Sequence, residues 1–242
     1  MKNQKNNNVL LLCGHGSRSK LHSINLKKIK KKIEEKINIK VLISFLEVNK
    51  PSLEDCLLKY SKKYDKIFIF PFLIFEGNHF KNDFKRLIQK YNESGNVVLI
   101  EKLSLLNEIL PETVKILKKK LKTEKNTILV TSSSYSQDKF VLLNLQKYTK
   151  ILSKELNVHK SFFHYVGNET KLIEKLKLIK NEKLSILLHP IFLFQGFLYS
   201  KNKKYFHDSF FKKVTVSPSL MNENRIFNLV IKKLLTKIPS TH

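Results

Sequence analysis

The sequence predicts an α/β protein made of two similar lobes, each a parallel sheet flanked by helices. Two observations lead to this prediction. Short apolar runs of strand length alternate with longer segments in which apolar residues recur at helical spacing. Two segments also recur 118 to 119 residues further along the chain. Because each predicted helix lies between two strands, we expect right-handed crossovers and parallel sheets covered on both faces.

Four strands are predicted in the first lobe: Val9 to Cys13, Val41 to Glu47, Ile67 to Phe72 and Val97 to Ile100. Three helices lie between them. The first has a face of Leu26, Ile29, Ile33 and Ile37, the second a face of Leu53, Leu57 and Tyr60, and the third a face of Phe80, Phe84, Leu87, Ile88 and Tyr91. The second helix begins at Pro51 and Ser52, and Ser52 is of the type that caps a helix.

The second lobe repeats the alternation. Its predicted strands are 127–130, 161–166, 184–194 and 214–216, and its predicted helices are 140–156, 170–180 and 222–235. The boundary falls near Thr123 to Asn126, which gives lobes of residues 1–123 and 124–242. Because this boundary has no linker rich in proline or glycine, we expect the lobes to pack against each other.

Only the first copy of the repeat keeps side chains that can do chemistry. Segments 12–18 and 70–79 of the first copy correspond to segments 130–136 and 189–198 of the second. In this alignment His15 falls opposite Ser133, and His79 falls opposite Leu198. The sequence therefore predicts one histidine site per chain.

The formal charge of +26 raises the question of nucleic-acid binding. Only three arginines are present, the lysines are spread along the whole chain, and no known nucleic-acid motif accompanies them. We expect no nucleic-acid partner. The electrostatic field of such a surface favours a multiply anionic small molecule instead.

The longest apolar run, Ile67 to Phe75, has nine residues and contains a proline, far fewer than the roughly 20 that span a bilayer. The first eight residues are polar, which is not typical of a signal peptide. The sequence thus predicts no membrane association and a cytoplasmic location. Cys13 and Cys56 form no CxxC pair, and we expect both to be buried structural thiols.

Three polar side chains are predicted at the carboxyl ends of neighbouring strands in the first lobe. His15 follows the first strand, Glu47 ends the second, and His79 comes shortly after the third. Because ligands of open parallel sheets bind at that edge, these residues are candidates for one site. Two imidazoles and a carboxylate suit iron or cobalt, and a neutral imidazole can also accept a proton from a substrate nitrogen.

Each candidate also has a structural interpretation. The Gly14–Ser17 turn could use His15 only for packing, His79 could cap a helix, and Glu47 could pair with a lysine. The same turn resembles a phosphate-binding loop but lacks the full GxGxxG pattern and the Walker lysine. His189 lies on a predicted strand, and we expect it to be packed or hydrogen-bonded. No convergence of polar groups surrounds the remaining histidines, namely His22, His159, His164, His207 and His242.

Three motifs, taken together and in order, resemble the CbiX-type sirohydrochlorin chelatases, which are class II chelatases. They are Leu12-Cys13-Gly14-His15-Gly16-Ser17-Arg18, the Phe45-Leu46-Glu47 segment followed by Pro51-Ser52-Leu53, and the run from Pro71 to Asp83. The degenerate second copy resembles the carboxyl-terminal half of the long members of this family. The resemblance implies two chelatase-like lobes related by the internal repeat.

The resemblance also implies an enzyme that inserts Co²⁺ or Fe²⁺ into sirohydrochlorin for cobalamin or sirohaem synthesis, without ATP and with no cofactor beyond the substrate metal. It assigns metal binding and catalysis to His15 and His79, with Glu47 as the third catalytic residue. Ser17, Arg18, Asn78 and Lys81 are assigned to the carboxylates of the anionic tetrapyrrole. Residues Phe84-Lys85 depart from the Ile-Pro pair expected there, which leaves the start of the local helix open.

A second interpretation remains: the chain could bind and carry a metal or tetrapyrrole without catalysis. The ligand types do not distinguish cobalt from iron. Because one chain contains both lobes, we expect a monomer to be sufficient for function.

Overall fold

A computed structural model describes residues 7–75, 78–120, 127–158, 160–179, 185–207, 211 and 213–239; the side chains of residues 78–80 and 120 are outside the description. The described chain forms two four-stranded parallel sheets with helices between successive strands. The predicted fold class is confirmed. In each sheet the strand that comes first in the sequence lies between the second and the third, and the fourth lies at the far edge beside the third, so the two sheets have the same topology.

In the first half the strands are β1 (Asn8–Gly14), β2 (Lys40–Phe45), β3 (Lys66–Pro71) and β4 (Val97–Leu99). The helices are α1 (Lys20–Ile37), α2 (Leu53–Tyr60), α3 (Asn78–Tyr91) and α4 (Leu110–Lys120), the last preceded by a π-helical turn over Leu105–Ile109.

In the second half the strands are β5 (Thr127–Ser133), β6 (Lys160–Tyr165), β7 (Ser185–Pro190) and β8 (Lys213–Val216). The helices are α5 (Lys139–Leu156), α6 (Glu169–Lys177), α7 (Phe197–His207) and α8 (Asn224–Leu235), with a 3₁₀ turn over Leu220–Asn222 before the last.

Strand β1 is the centre of the first sheet, and each of its seven residues is buried. Val9, Leu11 and Cys13 pack into one core with residues of α2 and α3, including Leu53 and Phe84. Because successive side chains of a strand point to opposite faces, the remaining apolar residues of β1 fill the core on the other face. Burial on both faces explains why this strand has an uninterrupted apolar sequence.

The helical faces predicted from spacing are the buried faces. Leu26, Ile29, Ile33 and Ile37 are the buried residues of α1, and Leu53 and Leu57 are buried in α2. Ser52 caps α2 as predicted: its side chain accepts a hydrogen bond from the amide of Asp55 at 3.0 Å, and the Asp55 carboxylate accepts one from the amide of Ser52 at 3.0 Å.

The chain forms two compact units. Residues 1–103 and 228–242 belong to the first, and residues 104–227 belong to the second. The segment that contains α4 thus lies in the second unit, and the end of the chain returns to the first. The lobes predicted from the repeat, 1–123 and 124–242, describe the duplication in the sequence, and their identity as domains stays a prediction.

Two predicted strands extend at least two residues too far. Strand β2 ends at Phe45, two residues before Glu47. The amide of Leu46 still bonds to Gly14, the last residue of β1, but the amide of Glu47 bonds to His15 in the loop after β1. Strand β7 ends at Pro190, four residues before the predicted limit. The sequence analysis also missed α4 and α7. Helix α3 begins at Asn78 and continues through the Phe84-Lys85 pair, with Phe84 in the core.

None of the helices in the described ranges combines the length and the hydrophobicity that a membrane crossing requires.

The cap of α2 gives a testable prediction. Replacing Ser52 with alanine removes the acceptor for the Asp55 amide, so we expect the free energy of unfolding to fall by about 1 kcal/mol. The shift of the urea denaturation midpoint measures this change. Ser61→Ala, at the other end of the same helix, is the matched control and should change it by less than about 0.5 kcal/mol. Equal effects of the two substitutions would contradict the capping role.

Candidate functional site

The carboxyl ends of β1, β2 and β3 lie side by side at one edge of the first sheet. Gly14 pairs with Phe45 of β2, and Cys13 pairs with Pro71 of β3. The loops that follow these strands therefore begin next to each other. This is the edge at which open parallel sheets bind ligands.

Backbone hydrogen bonds join the loop after β2 to the last residue of β1 and to the loop that follows β1. The amide of Leu46 donates to the carbonyl of Gly14 at 3.0 Å, and the amide of Glu47 donates to the carbonyl of His15 at 3.0 Å. His15 and Glu47 are 32 residues apart in sequence, and these bonds make them neighbours. Their predicted proximity is confirmed.

Gly16 is required for this approach of the two loops. Its φ of +104° is a backbone conformation that side-chain-bearing residues rarely adopt. A Cβ atom at this position would overlap the carbonyl oxygen of Glu47. Glycine adopts that φ readily and has no side chain, so the Glu47 backbone can approach the loop that carries His15.

Asn49 makes a further link that the sequence analysis missed. Its side-chain oxygen accepts a hydrogen bond from the amide of Ser17 at 2.5 Å, and the hydroxyl of Ser17 accepts one from the amide of Ser19 at 3.1 Å. The amide of Asn49 donates to the carbonyl of Glu47 at 2.6 Å. An asparagine two residues after the candidate carboxylate is a common turn-forming signal and could have been recognised.

Val48 stands between Glu47 and Asn49 with a φ of +64° and with 64% of its side chain exposed. A β-branched residue in this conformation is strained. Strain of this kind persists where the surrounding bonds over-determine the backbone, and it concentrates at functional sites.

The predicted site residues differ in their exposure. His15, Glu47, Arg18 and Lys81 are exposed, and Ser17 is half-buried. Asn78 and His79 form the first turn of α3, and their side chains lie outside the described part of the structure. Among the described side chains, no group of three or more histidines, cysteines, aspartates or glutamates is arranged to hold a metal ion. His15 and Glu47 are thus the two candidate catalytic residues whose side chains lie in the described part of the structure.

His22, to which the sequence analysis gave no role, lies in the first turn of α1 and is half-buried. Desolvation lowers its pKa, and the charge of His15 lowers it further. His22 is therefore within electrostatic range of His15. The signal was available in the sequence, because a helix that starts at Lys20 begins at the same edge of the sheet as His15.

Both cysteines are buried and free, as predicted. Burial raises the pKa of the Cys13 thiol to about 12 and the pKa of the Cys56 thiol to about 11. A thiol must lose its proton to act as a nucleophile or a metal ligand. Although Cys13 is only two residues from His15, both thiols stay protonated at neutral pH and serve as core residues.

Comparison with known proteins identifies the segment that contains this edge. The CbiX family model matches residues 9–123, which include each of the candidate residues. Residues 9–123 are thus similar to the CbiX family. A search of curated protein sequences gave no significant match.

Solved structures with the same fold cover almost the whole chain. SirB from Bacillus subtilis with Fe3+ has a TM-score of 0.73 and 19% identity, and the match covers 94% of each chain. The sirohydrochlorin chelatase SirB from Bacillus subtilis subspecies spizizenii, in complex with cobalt, has a TM-score of 0.66 and 16% identity over 93% of each chain. CbiX, described as the terminal enzyme for biosynthesis of siroheme in denitrifying bacteria, has a TM-score of 0.66 and 9% identity over 96% of this chain and 100% of that one. The two-lobed fold extends beyond the CbiX segment into the second half of the chain.

The corresponding edge of the second sheet has lost the candidate groups. The amide of Val166 donates to the carbonyl of Ser133 at 2.9 Å, which repeats the bond from Leu46 to Gly14. The structural counterpart of His15 is therefore Ser134. The predicted pairing with Ser133 was wrong by one residue, because the alignment followed an offset of 118 where the sheets superimpose with an offset of 119. By the same hydrogen-bond pattern, the counterpart of Glu47 is Gly167.

His189 is buried and hydrogen-bonded, as predicted. Its Nε2 lies 2.9 Å from the Tyr148 hydroxyl, its Nδ1 lies 2.6 Å from the Ser217 hydroxyl, and its ring stacks on that of Tyr148. Burial lowers the pKa of His189 from 6.5 to about 4. Both ring nitrogens are used inside the core, so this neutral imidazole is a structural group.

His164 is likewise built into the interior of the second unit and is 6% exposed. Its Nδ1 donates to the carbonyl of Tyr165 at 3.1 Å, and its Nε2 accepts from the side-chain amide of Asn202 at 3.3 Å. Asn202 in turn accepts from the Ser132 hydroxyl at 2.7 Å. Desolvation lowers the pKa of His164, so the ring stays neutral at pH 7.

The role of Gly16 can be tested with a matched pair of substitutions. Gly167 in the second unit has a φ of +108°, close to that of Gly16, but its Cβ would meet nothing within 4 Å. We expect Gly16→Ala to lower the free energy of unfolding by at least about 1 kcal/mol more than Gly167→Ala, because only the former adds a steric clash. Thermal unfolding of both variants measures the difference. Equal losses would mean that the two loops are not in close contact.

His189 gives a prediction about acid stability. Above pH 6.5 the imidazole is neutral in both the folded and the unfolded chain. As the pH falls to about 4, the unfolded chain binds a proton that the folded chain excludes, so stability decreases by up to about 3 kcal/mol.

Urea denaturation of the protein and of His189→Gln at pH 7 and pH 4 measures this contribution. Glutamine keeps a donor and an acceptor for Tyr148 and Ser217 but does not titrate. The variant should therefore lose about 3 kcal/mol less than the unmodified protein between the two pH values. The same pH dependence in both proteins would show that His189 is not buried in its neutral form.

Proposed function

We propose that this protein inserts a divalent metal ion, Co²⁺ or Fe²⁺, into sirohydrochlorin in cobalamin or sirohaem biosynthesis. The observation that carries this proposal is the pair of backbone-joined residues His15 and Glu47, exposed at the ligand-binding edge of a sheet within the CbiX segment. Two SirB proteins of the same fold hold Fe3+ and cobalt, respectively. Their metals support a metal-inserting activity and leave both ions as candidates.

Metal insertion requires that the ion lose water and that two pyrrole nitrogens lose their protons. In the proposed mechanism His15, which is exposed, and His79 bind or deliver the ion, and a neutral imidazole that does not hold the ion accepts the protons that leave the pyrrole nitrogens. Glu47 orients a histidine or takes a proton onward, a role that carboxylates commonly have toward histidines at metal sites. The hydrogen bond between the Glu47 amide and the His15 carbonyl supports this role, because it fixes the spacing of the two backbones.

The substrate carries several carboxylates, and the protein carries a net charge of +26. We assign Arg18 and Lys81, both exposed in the first unit, to these carboxylates, together with Ser17 and Asn78. A strongly basic protein attracts a polyanion over long distances and thereby raises its rate of association. This assignment accounts for the charge without a nucleic-acid partner.

The reaction as proposed needs no ATP and no cofactor other than the metal that becomes part of the product. We place the reaction in the cytoplasm. A single chain is sufficient for it, because the candidate groups all come from one copy of the repeat.

The alternative function is a carrier that binds metal or tetrapyrrole without inserting one into the other. A carrier would bind metal-free sirohydrochlorin but would not change its absorption spectrum to that of the metal-containing product. Intact His15, Glu47 and His79 favour the enzyme, because a carrier has no need of groups that accept protons.

The assay combines purified protein with sirohydrochlorin and Co²⁺ or Fe²⁺ and follows the change in absorption. We expect His15→Ala, His79→Ala and Glu47→Gln each to reduce the rate by on the order of 100-fold or more, as loss of a proton-transfer group does. His207→Ala removes an exposed imidazole from α7 and is the matched control, expected to retain full activity. Rates equal to the protein-free background with both ions would reject the enzyme, and equal losses in all four variants would reject the single site.

A further inference from the structure

The second sheet has a cleft along one free edge. Strand β6 is the outermost strand and pairs only with β5. A cleft of about 300 Å³ is lined by four consecutive residues of this strand, 162–165, and by residues of both α5 and α6. Successive side chains of a strand point to opposite faces, so four in a row can line one cleft only if it runs along the edge of the sheet.

Half of the backbone groups of β6 point away from β5, on the side of the free edge. The amide of Val166 bonds to Ser133 of β5, and in a parallel ladder alternate residues bond to the same neighbour. The amides of Ser161, Phe163 and Tyr165 therefore point away from β5. Within the described ranges, no residue accepts a hydrogen bond from these three amides.

The equivalent edge of the first sheet is protected. On β2, the amide of Val41 donates to the carboxylate of Glu34 at 2.9 Å, and the amide of Phe45 donates to the carbonyl of Pro51 at 3.1 Å. These two positions correspond to Ser161 and Tyr165. Free strand edges promote pairing with other chains, and proteins normally block them. Within the part of the chain that the structure describes, this edge is blocked in one copy of the repeat and open in the other.

The two sides of the cleft differ in chemistry. On the α5 side lie Leu142 and the rings of Phe163 and Tyr165, which contact each other edge to face at 5.0 Å. On the α6 side lie Lys171 and Lys175, both exposed and neither in an ion pair with a described residue. One side is apolar and aromatic, and the other side is cationic.

The spacing of the two lysines matches an extended chain. Residues four apart on a helix are separated by about 6 Å along its axis. Alternate residues of a strand are separated by about 6.6 Å and point to the same side. A strand added to β6 would thus place every second side chain beside a lysine of α6 and the intervening ones against the rings on the α5 side.

We propose that the free edge of β6 binds an extended acidic segment of another protein, which joins the second sheet as a fifth strand. Carboxylates on alternate residues of that segment face Lys171 and Lys175, and the residues between them are apolar. Backbone bonds to Phe163 and its neighbours supply affinity, and the two sides of the cleft supply specificity. Charge argues against a second copy of this chain as the occupant, because edge-to-edge pairing would bring two lysine-rich surfaces together.

Fluorescence anisotropy with a labelled nine-residue peptide of alternating glutamate and valine tests the proposal. We expect saturable binding below about 100 μM. A peptide with lysine in place of glutamate, and one with the same composition but its glutamates in a single block, should not bind. Lys171→Glu/Lys175→Glu should weaken the binding at least about tenfold, and added salt should weaken the binding to the unmodified protein.

Phe163→Pro removes a backbone amide that points away from β5 and has no hydrogen-bond acceptor within the described ranges. This substitution should abolish binding. Ile43→Pro, at the corresponding position of β2, is the matched control and should leave binding unchanged. Far-UV circular dichroism verifies the fold of each variant, and the lysine variant keeps the test decisive if Phe163→Pro does not fold. Absence of saturable binding, or equal binding of all three peptides, would overturn the proposal. Concentration-dependent dimerisation that Phe163→Pro removes, seen by sedimentation without peptide, would assign the edge to a second copy and also overturn it.

Discussion

The candidate site depends on one close contact, that between Gly16 and the carbonyl oxygen of Glu47. Two loops 32 residues apart reach the same place because the strands before them, β1 and β2, are neighbours in the sheet. The bond between the Glu47 amide and the His15 carbonyl then fixes one backbone relative to the other. Side chains on long loops usually lose their relative positions to conformational entropy. Here the buried strands reduce that entropy cost, so the backbones of two exposed residues, His15 and Glu47, are held next to each other.

Much of the fold could be predicted because its strands and helices have simple periodicity. The uninterrupted apolar residues of β1 indicated burial on both faces, and the helical spacing from Leu26 to Ile37 gave the buried face of α1. Periodicity could not give the end of β2. Leu46 and Glu47 look like a continuation of the strand, yet the amide of Glu47 bonds to His15 in the loop after β1, and that is a tertiary interaction.

The site could be predicted in part. Gly14, His15 and Gly16 stood out as a turn with an uncovered side chain, and strand order brought Glu47 to the same edge. Asn49 was missed because its partner, Ser17, is 32 residues away in sequence. His22 was missed because it lies in a helix, whereas His15 lies in the loop before that helix. The error of one residue in the alignment of the second copy had a similar origin. Sequence similarity alone does not determine the offset between the two copies of the repeat. The hydrogen bonds at the ends of β1 and β5 determine it.

The second copy keeps the scaffold and uses its polar groups differently. At the edge, Ser134 and Gly167 occupy the places of His15 and Glu47. In the interior, His164 and His189 have both ring nitrogens in hydrogen bonds, and burial lowers the pKa of each. Neutral, fully bonded imidazoles contribute to packing and specificity of the core, but they are not available to an incoming ion. One copy of the repeat thus presents its polar groups to solvent, and the other uses them to hold its core together.

The most direct test of this account is anomalous X-ray diffraction from crystals of the protein soaked with Co²⁺. The account predicts a cobalt peak within bonding distance of the His15 imidazole and none at the corresponding edge near Ser134 and Gly167. A peak at the second edge, or an occupied site elsewhere with His15 unliganded, would contradict it.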